Sequence, residues 1–176
     1  MKQLALSLFV LLAIVVARAA PPAVDPKLLE QLKKVMPSAA TFSPKEGTPP
    51  HFTAYAAGPS AGQPTVAGYA FWTTELEPLE RGYDGPIKML VGMDTNAILT
   101  GVLVTEDHEP YGNFSVETPG FAAQFRGKNI RDPFKVGVDI DAISRATISV
   151  SSAARAVRNS SRRVARALLT QGGNDR

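Results

Sequence analysis

The sequence predicts an α+β fold, a single domain with a mainly antiparallel sheet packed against N- and C-terminal helices. Helical apolar periodicity is confined to two stretches, one near each end of the 176-residue chain. The segments between them read as strands separated by turns rich in Pro, Gly and Asp. A hydrophobic content of 44% suits one globular domain with an ordinary core, and no internal repeat or low-complexity stretch interrupts the chain.

Residues 1–19 read as an export signal: Lys2 forms the n-region, residues 4–16 are apolar, and Ala17-Arg18-Ala19 offers small residues for cleavage just after Ala19. The apolar run is shorter than the ~20 residues that span a bilayer. The expected location is periplasmic or extracytoplasmic, with a membrane anchor if the signal is retained. Residues 20–83 then supply a helix and the first strands. A short Pro-Ala lead precedes the helix over Pro26–Val35, which carries Leu28, Leu29, Leu32 and Val35 on one face and is stopped by Pro37. Residues 37–50 read as loop, and 51–57 and 65–74 as strands.

Asp84-Gly85-Pro86 is turn chemistry that introduces a strand over 87–93, and Asp94-Thr95-Asn96 returns the chain into a second over 97–106. This pair is the clearest hairpin in the sequence. A short strand is expected at 134–138. The C-terminal helix follows, with Val150, Ala154, Val157, Ser161, Val164 and Leu168 on an apolar stripe that Ala153, Ala165 and Leu169 widen. Arg155, Arg158, Arg162, Arg163 and Arg166 occupy much of its remaining surface. Gly172-Gly173 ends it, leaving 171–176 as a frayed tail.

Charge is unevenly divided. Residues 21–144 carry 10 basic and 15 acidic side chains, for −5, whereas residues 145–176 carry seven Arg against Asp175, for +6. The basic helix reads either as a solvated face over a packed stripe or as a docking surface for an acidic redox partner or a phosphate-rich membrane. With no cysteine, the chain holds no disulfide and no thiolate-bound haem or iron–sulfur cluster. His51 and His108 lie far apart without metal-ligand spacing, so no metal site is expected. Gly-x-Ser-x-Gly, His-Glu-x-x-His and Gly-rich nucleotide loops are missing, which argues against hydrolytic and nucleotide-dependent catalysis, and export argues against nucleic acid.

Chemistry concentrates in the second half. After residue 106 a long polar connection runs through Asp107-His108-Glu109-Pro110-Tyr111-Gly112 to Glu117-Thr118-Pro119-Gly120. Residues 141–149 read Asp-Ala-Ile-Ser-Arg-Ala-Thr-Ile-Ser, with Thr147 near the start of the C-terminal helix, where free N–H groups and the macrodipole favour an anion. On the residues alone, Ser144, Thr147 and Ser149 are equally N-cap candidates, Pro119-Gly120 a turn, and Glu117 a helix-start carboxylate.

Asp141-x-x-Ser144-x-Ala146-Thr147 resembles the acceptor signature Asp-x-x-Ser/Thr-Gly-Ala-Thr of a family of FMN-binding domains. Its members include flavin-bearing components of the sodium-pumping NADH:quinone reductase and of Rnf-type electron-transport complexes, and the periplasmic domain of the nitrous-oxide-reduction regulator. Glu117-Thr118-Pro119-Gly120 resembles the Glu-Thr-Pro-Gly-Leu-Gly run that precedes the acceptor threonine in the first two. Phe121-Ala122 stands for the usual Leu-Gly, and Arg145 for the usual Gly; the Ser-Arg-Ala-Thr form and His108-Glu109-Pro110 look more like the nitrous-oxide regulator branch. Phe125-Arg126-Gly127-Lys128 resembles a further element of the family and reads as a turn with exposed cations. These matches run over residues 84–169.

The resemblance implies FMN held covalently by a phosphoester on Thr147. The cofactor site would comprise Asp141, Ser144, Arg145, Ala146 and Thr147 together with Glu117, Thr118, Pro119 and Gly120. Tyr111, Phe114 and Phe121 could line the ring, and Asp107, Glu109, Glu117 and Asp141 could set its charge environment. A flavin transferase would mature the protein, and membrane or periplasmic redox proteins would exchange electrons with it. No independent substrate turnover is expected. The alternatives are a redox-sensing regulatory or assembly module for a periplasmic reductase, or a non-flavinylated binding protein of the same fold.

Overall fold

The computed structural model describes residues 25–58 and 64–170; the expected signal at 1–19 and tail at 171–176 lie outside these residues. The elements run α1 (Pro26–Val35), β1 (Thr41–Phe42), β2 (Phe52–Ala56), β3 (Thr65–Trp72), α2 (Thr73–Leu76), β4 (Lys88–Asp94), β5 (Leu99–Glu106), a 3₁₀ turn (Gly112–Phe114), α3 (Pro119–Ala123) and α4 (Thr147–Leu168). One five-stranded sheet in the order β1-β2-β3-β4-β5 is antiparallel throughout. The molecule is therefore a single α+β domain with helices at both ends.

Local chemistry explains where α1 begins and stops. Asp25 Oδ2 accepts from the Leu28 N–H at 3.0 Å, Pro26 occupies the first turn, and Lys33 and Lys34 lie in the last, where they oppose the negative end of the helix dipole. Leu32, Val35 and Met36 bury their side chains with Phe52, Ala54, Ala70, Trp72 and Leu90 against one face of the sheet. Here the end of α1 lies directly on the hairpin. A Cβ at Gly92 would come 2.3 Å from the Val35 carbonyl oxygen, so only glycine permits this approach. Gly101 stands opposite Gly92 across the β4–β5 ladder, under the same turn of helix.

The other face carries the larger core. Met89, Val91 and Met93 alternate along β4 toward Phe121, Phe125, Phe134, Val150, Ala153, Ala154 and Val157, so β4 is covered on both sides. The buried surface of α4 is wider than the predicted stripe, because Ser149, Ser152, Ala156 and Ser160 also lie inside. Burial of Ser160 and Ser161 is tolerated because their hydroxyls donate to the Ala156 and Val157 carbonyls at 2.6 and 2.7 Å.

Three local expectations are corrected. The strand expected at 134–138 is a tight loop: Phe134 has φ +50°, and Asp139 accepts from the N–H groups of Phe134 and Lys135 and from the Lys128 ammonium at 3.1, 2.7 and 3.1 Å. A side chain that accepts from N–H groups four and five residues earlier curls the chain instead of extending it. The strand expected through residue 74 ends at Trp72, where Thr73 turns into α2 with its hydroxyl accepting from the Met89 N–H. Within the expected 37–50 loop, β1 forms against β2.

Candidate functional site

The start of α4 sets the site. Residues 143–146 make a tight turn in which the Ala146 N–H donates to the Ile143 carbonyl and Arg145 adopts φ +66°, placing the chain in the left-handed region between Ser144 and Ala146. The position before the helix is Ala146, which has no side chain capable of capping. Ser144, Thr147 and Ser149 are thus not caps, contrary to the plain reading of the sequence. Val150 is the first residue of the helix to donate backward, to the Ala146 carbonyl, so the N–H groups of Thr147, Ile148 and Ser149 precede the intrahelical ladder. The contrast with α1 and α3 is direct, since Asp25 and Thr118 cap those helices. A 22-residue helix with an uncapped start and an exposed threonine at its first position offers a donor set suited to a phosphate.

Ser149 is instead held from the side. Its hydroxyl donates to Glu109 Oε2. The same carboxylate accepts from the backbone N–H groups of Tyr83 and Asp84, each at 3.2 Å. Glu109 is buried, and its Oε1 lies where a Cβ at Gly82 would stand. One carboxylate therefore binds the 82–84 turn and the post-hairpin loop to the first turn of α4.

Two clefts open beside Arg145. The first, about 210 Å³, is lined by Tyr111, Phe114, Ser115, Ile143, Ser144, Arg145 and Ala146. The second, about 60 Å³, is bounded by Tyr83, Glu109, Pro110, Tyr111, Arg145 and Ser149. Among the described residues, Arg145 supplies the only cationic side chain lining either. Around them stand aromatic groups with unusual exposure: Tyr83 at 71%, Tyr111 at 50% and Phe114 at 72%. An exposed aromatic rim of this kind marks a ligand or partner surface. The larger cleft is below the ~300 Å³ of enclosed ligand sites, so a ligand there remains partly open to solvent.

The sequence-predicted residues divide. Ser144, Arg145 and Ala146 line the first cleft and Thr147 follows them exposed at the start of α4; Asp141 is exposed nearby, its N–H donating to Gln124 Oε1. None of Glu117, Thr118, Pro119 and Gly120 lines either cleft. Thr118 caps α3 through the Phe121 N–H and donates to the Ser115 carbonyl, while Glu117 and Asp107 carboxylate oxygens close over Gly112. The run supports the cleft wall from behind, through Ser115. A Cβ at Gly120 would meet nothing within 4 Å, so close approach within the chain does not explain this glycine. Phe121 lies in the core and is unavailable to a ring, whereas Tyr111 and Phe114 are available. His108 is exposed and lines neither cleft. Sequence reasoning missed Tyr83 and Ser115; Tyr83 lies 64 residues before Thr147 in a turn, with no local signal to connect them.

The expected exposed cations are largely committed. Lys128 pairs with Asp139 at 3.1 Å, with most of its side chain covered. Burial of Asp139 works against ionisation, but the Lys135 N–H, the Lys128 ammonium and the Phe134 N–H outweigh it and hold its pKa below the usual carboxylate value. On α4, Arg155 pairs with Glu80 at 2.6 Å, Arg163 with Glu77 at 3.3 Å, and Arg162 donates to the carbonyls of Ile130 and Asp132. These contacts fasten the helix to its neighbours and leave less of the basic face for a partner.

Fold and site together define a small-ligand-binding domain, with an anion-accepting helix start beside a partly open aromatic cleft. Residues 82–161 match the family model of the FMN-binding domain, so the chain carries such a domain over that stretch. It is a flavin-binding protein, and the match spans the 82–84 turn, the hairpin, α3 and most of α4. No curated protein matches the chain.

Proposed function

We propose that this chain is an exported flavoprotein that carries FMN through a phosphoester on Thr147 and relays electrons between membrane or periplasmic redox partners. The observation that carries the reading is the uncapped start of α4, with Thr147 exposed at its first position within an FMN-binding domain. An exposed hydroxyl is open to a flavin transferase. The N–H groups of Thr147, Ile148 and Ser149 and the helix dipole would hold the phosphate once it is attached.

Bound FMN would supply the redox chemistry, and the protein supplies attachment, ring contacts and electrostatic environment. Tyr111 and Phe114 offer aromatic surface to a planar ring, and the Glu109–Ser149 contact fixes the first turn of α4 relative to the cleft. A cleft that leaves part of the ligand uncovered suits a carrier, since electron transfer requires no enclosed substrate. Covalent attachment also suits export, because FMN lost outside the cytoplasm is not readily replaced.

The test is the intact mass, under denaturing conditions, of the chain coexpressed with a flavin transferase, beside Thr147→Ala. The expected result is a gain equal to FMN minus one water in the wild type and none in the variant. An unmodified wild-type mass, with the transferase active on a control acceptor, refutes covalent attachment.

A further inference from the structure

We propose that Arg145 is a redox-tuning residue whose guanidinium lies against the flavin ring and stabilises its anionic reduced form. This rests on the flavin-carrier reading above and extends it to a particular charge and a particular part of the cofactor. The starting point is backbone strain: Arg145 holds φ +66°, a conformation that glycine adopts without penalty and a residue with a Cβ does not. Strain of this kind persists where the surroundings enforce it and is concentrated at functional positions. The side chain that accompanies the strain is not used to hold the fold. Among the described residues no hydrogen bond or ion pair engages the Arg145 guanidinium, whereas Arg155, Arg162 and Arg163 are each tied to a carboxylate or to carbonyls.

Arg145 and Tyr111 each line both clefts. A guanidinium and aromatic walls together favour a planar ligand that acquires negative charge. The phosphate has separate donors at the start of α4, two residues further along, which leaves the arginine to the ring. None of the acidic side chains nearby pairs with it: Glu109, which lines the second cleft, accepts from Ser149, Tyr83 and Asp84, and Asp107 and Glu117 face Gly112, so their charges lower the potential of a bound ring while Arg145 raises it. Two electrons and one proton convert oxidised FMN to its hydroquinone anion, with the electrons delivered by a chemical reductant in the assay. A cation beside the ring favours that product over the neutral form, and raises the midpoint potential.

The experiment measures the midpoint potential of the flavin-loaded chain for wild type, Arg145→Gln and Arg145→Lys at low and high ionic strength. Loading is checked by mass and absorbance, and FMN and riboflavin binding are compared in protein made without a transferase. Arg145→Gln is expected to move the equilibrium about tenfold toward oxidised flavin, equivalent to ~30 mV for a two-electron couple. Arg145→Lys should restore most of the potential, and salt should shrink the difference, as it does for an exposed charge. Riboflavin, which lacks the phosphate, should lose affinity in Arg145→Gln as FMN does. Equal potentials in wild type and Arg145→Gln overturn the assignment, and selective loss of FMN affinity would then make Arg145 a phosphate ligand. A chain that carries no flavin even when coexpressed with an active transferase overturns both this assignment and the carrier reading beneath it, whereas bound flavin with an unmoved potential sinks the assignment alone.

Discussion

Replacing Glu109 with glutamine removes one charge and one acceptor from the buried junction that holds the first turn of α4. Its Oε2 accepts from Ser149 Oγ and the Tyr83 N–H, and its Oε1 from the Asp84 N–H. A glutamine amide has one acceptor oxygen. If that oxygen serves Tyr83 and Ser149, the NH₂ faces the Asp84 N–H donor to donor. If it serves Asp84, the NH₂ faces the Tyr83 N–H donor to donor and the Ser149 hydroxyl must turn to accept from it. Either orientation loses one charge-assisted hydrogen bond, worth about 1.5–3 kcal/mol, and weakens the others to neutral strength. The net destabilisation should be about 2–3 kcal/mol, kept below the sum of the contacts because the unfolded glutamine is solvated as well. Equilibrium urea unfolding of wild type, Glu109→Gln, Ser149→Ala and the double variant would measure it. The cycle should give a Glu109–Ser149 coupling of about 1 kcal/mol or more. A single-variant loss below about 0.5 kcal/mol, or strictly additive losses, would refute the view that this carboxylate organises the junction.

Other consequences follow from the same geometry. Gly92→Ala should lose about 1–3 kcal/mol in urea unfolding, because its Cβ would stand 2.3 Å from the Val35 carbonyl oxygen and α1 would have to shift; unchanged stability would mean that the helix end rides freely on the hairpin. Asp139 has its folded pKa lowered, so its stabilisation is complete above the unfolded value near 3.9 and is lost as pH falls through the folded value. Asp139→Asn should therefore destabilise at neutral pH by about 1–2 kcal/mol, the modest range of a partly covered ion pair with backbone donors, and should flatten the acid limb of the stability profile below about pH 4. Phe114→Ala removes a side chain that is 72% exposed. It should change the unfolding midpoint by less than about 0.5 kcal/mol while weakening FMN binding several-fold, and an equal effect on both would return Phe114 to a structural role.

By itself the sequence determined the elements whose causes are local. Asp25-Pro26 followed by apolar residues at helical spacing defines α1, Asp94-Thr95-Asn96 between apolar runs defines the β4–β5 hairpin, and the Val-Ala stripe of residues 150–168 defines the buried side of α4. It also marked residues 141–149 as the informative segment, through their resemblance to the acceptor signature of FMN-binding domains. Tertiary structure decided what depends on partners far along the chain. The curl at residues 134–138 is tied down by Lys128, eleven residues before Asp139, and four α4 positions outside the predicted stripe are buried, Ser149 among them against Glu109. The Glu117 to Gly120 run supports the cleft instead of lining it, and Tyr83 joins the rim only through Glu109. Periodicity and turn chemistry act over a few residues, and so are visible in one sequence. Which side of Arg145 the chain turns to, and that a carboxylate at 109 meets a hydroxyl at 149, are set by packing across the whole domain, and became visible only when it was folded.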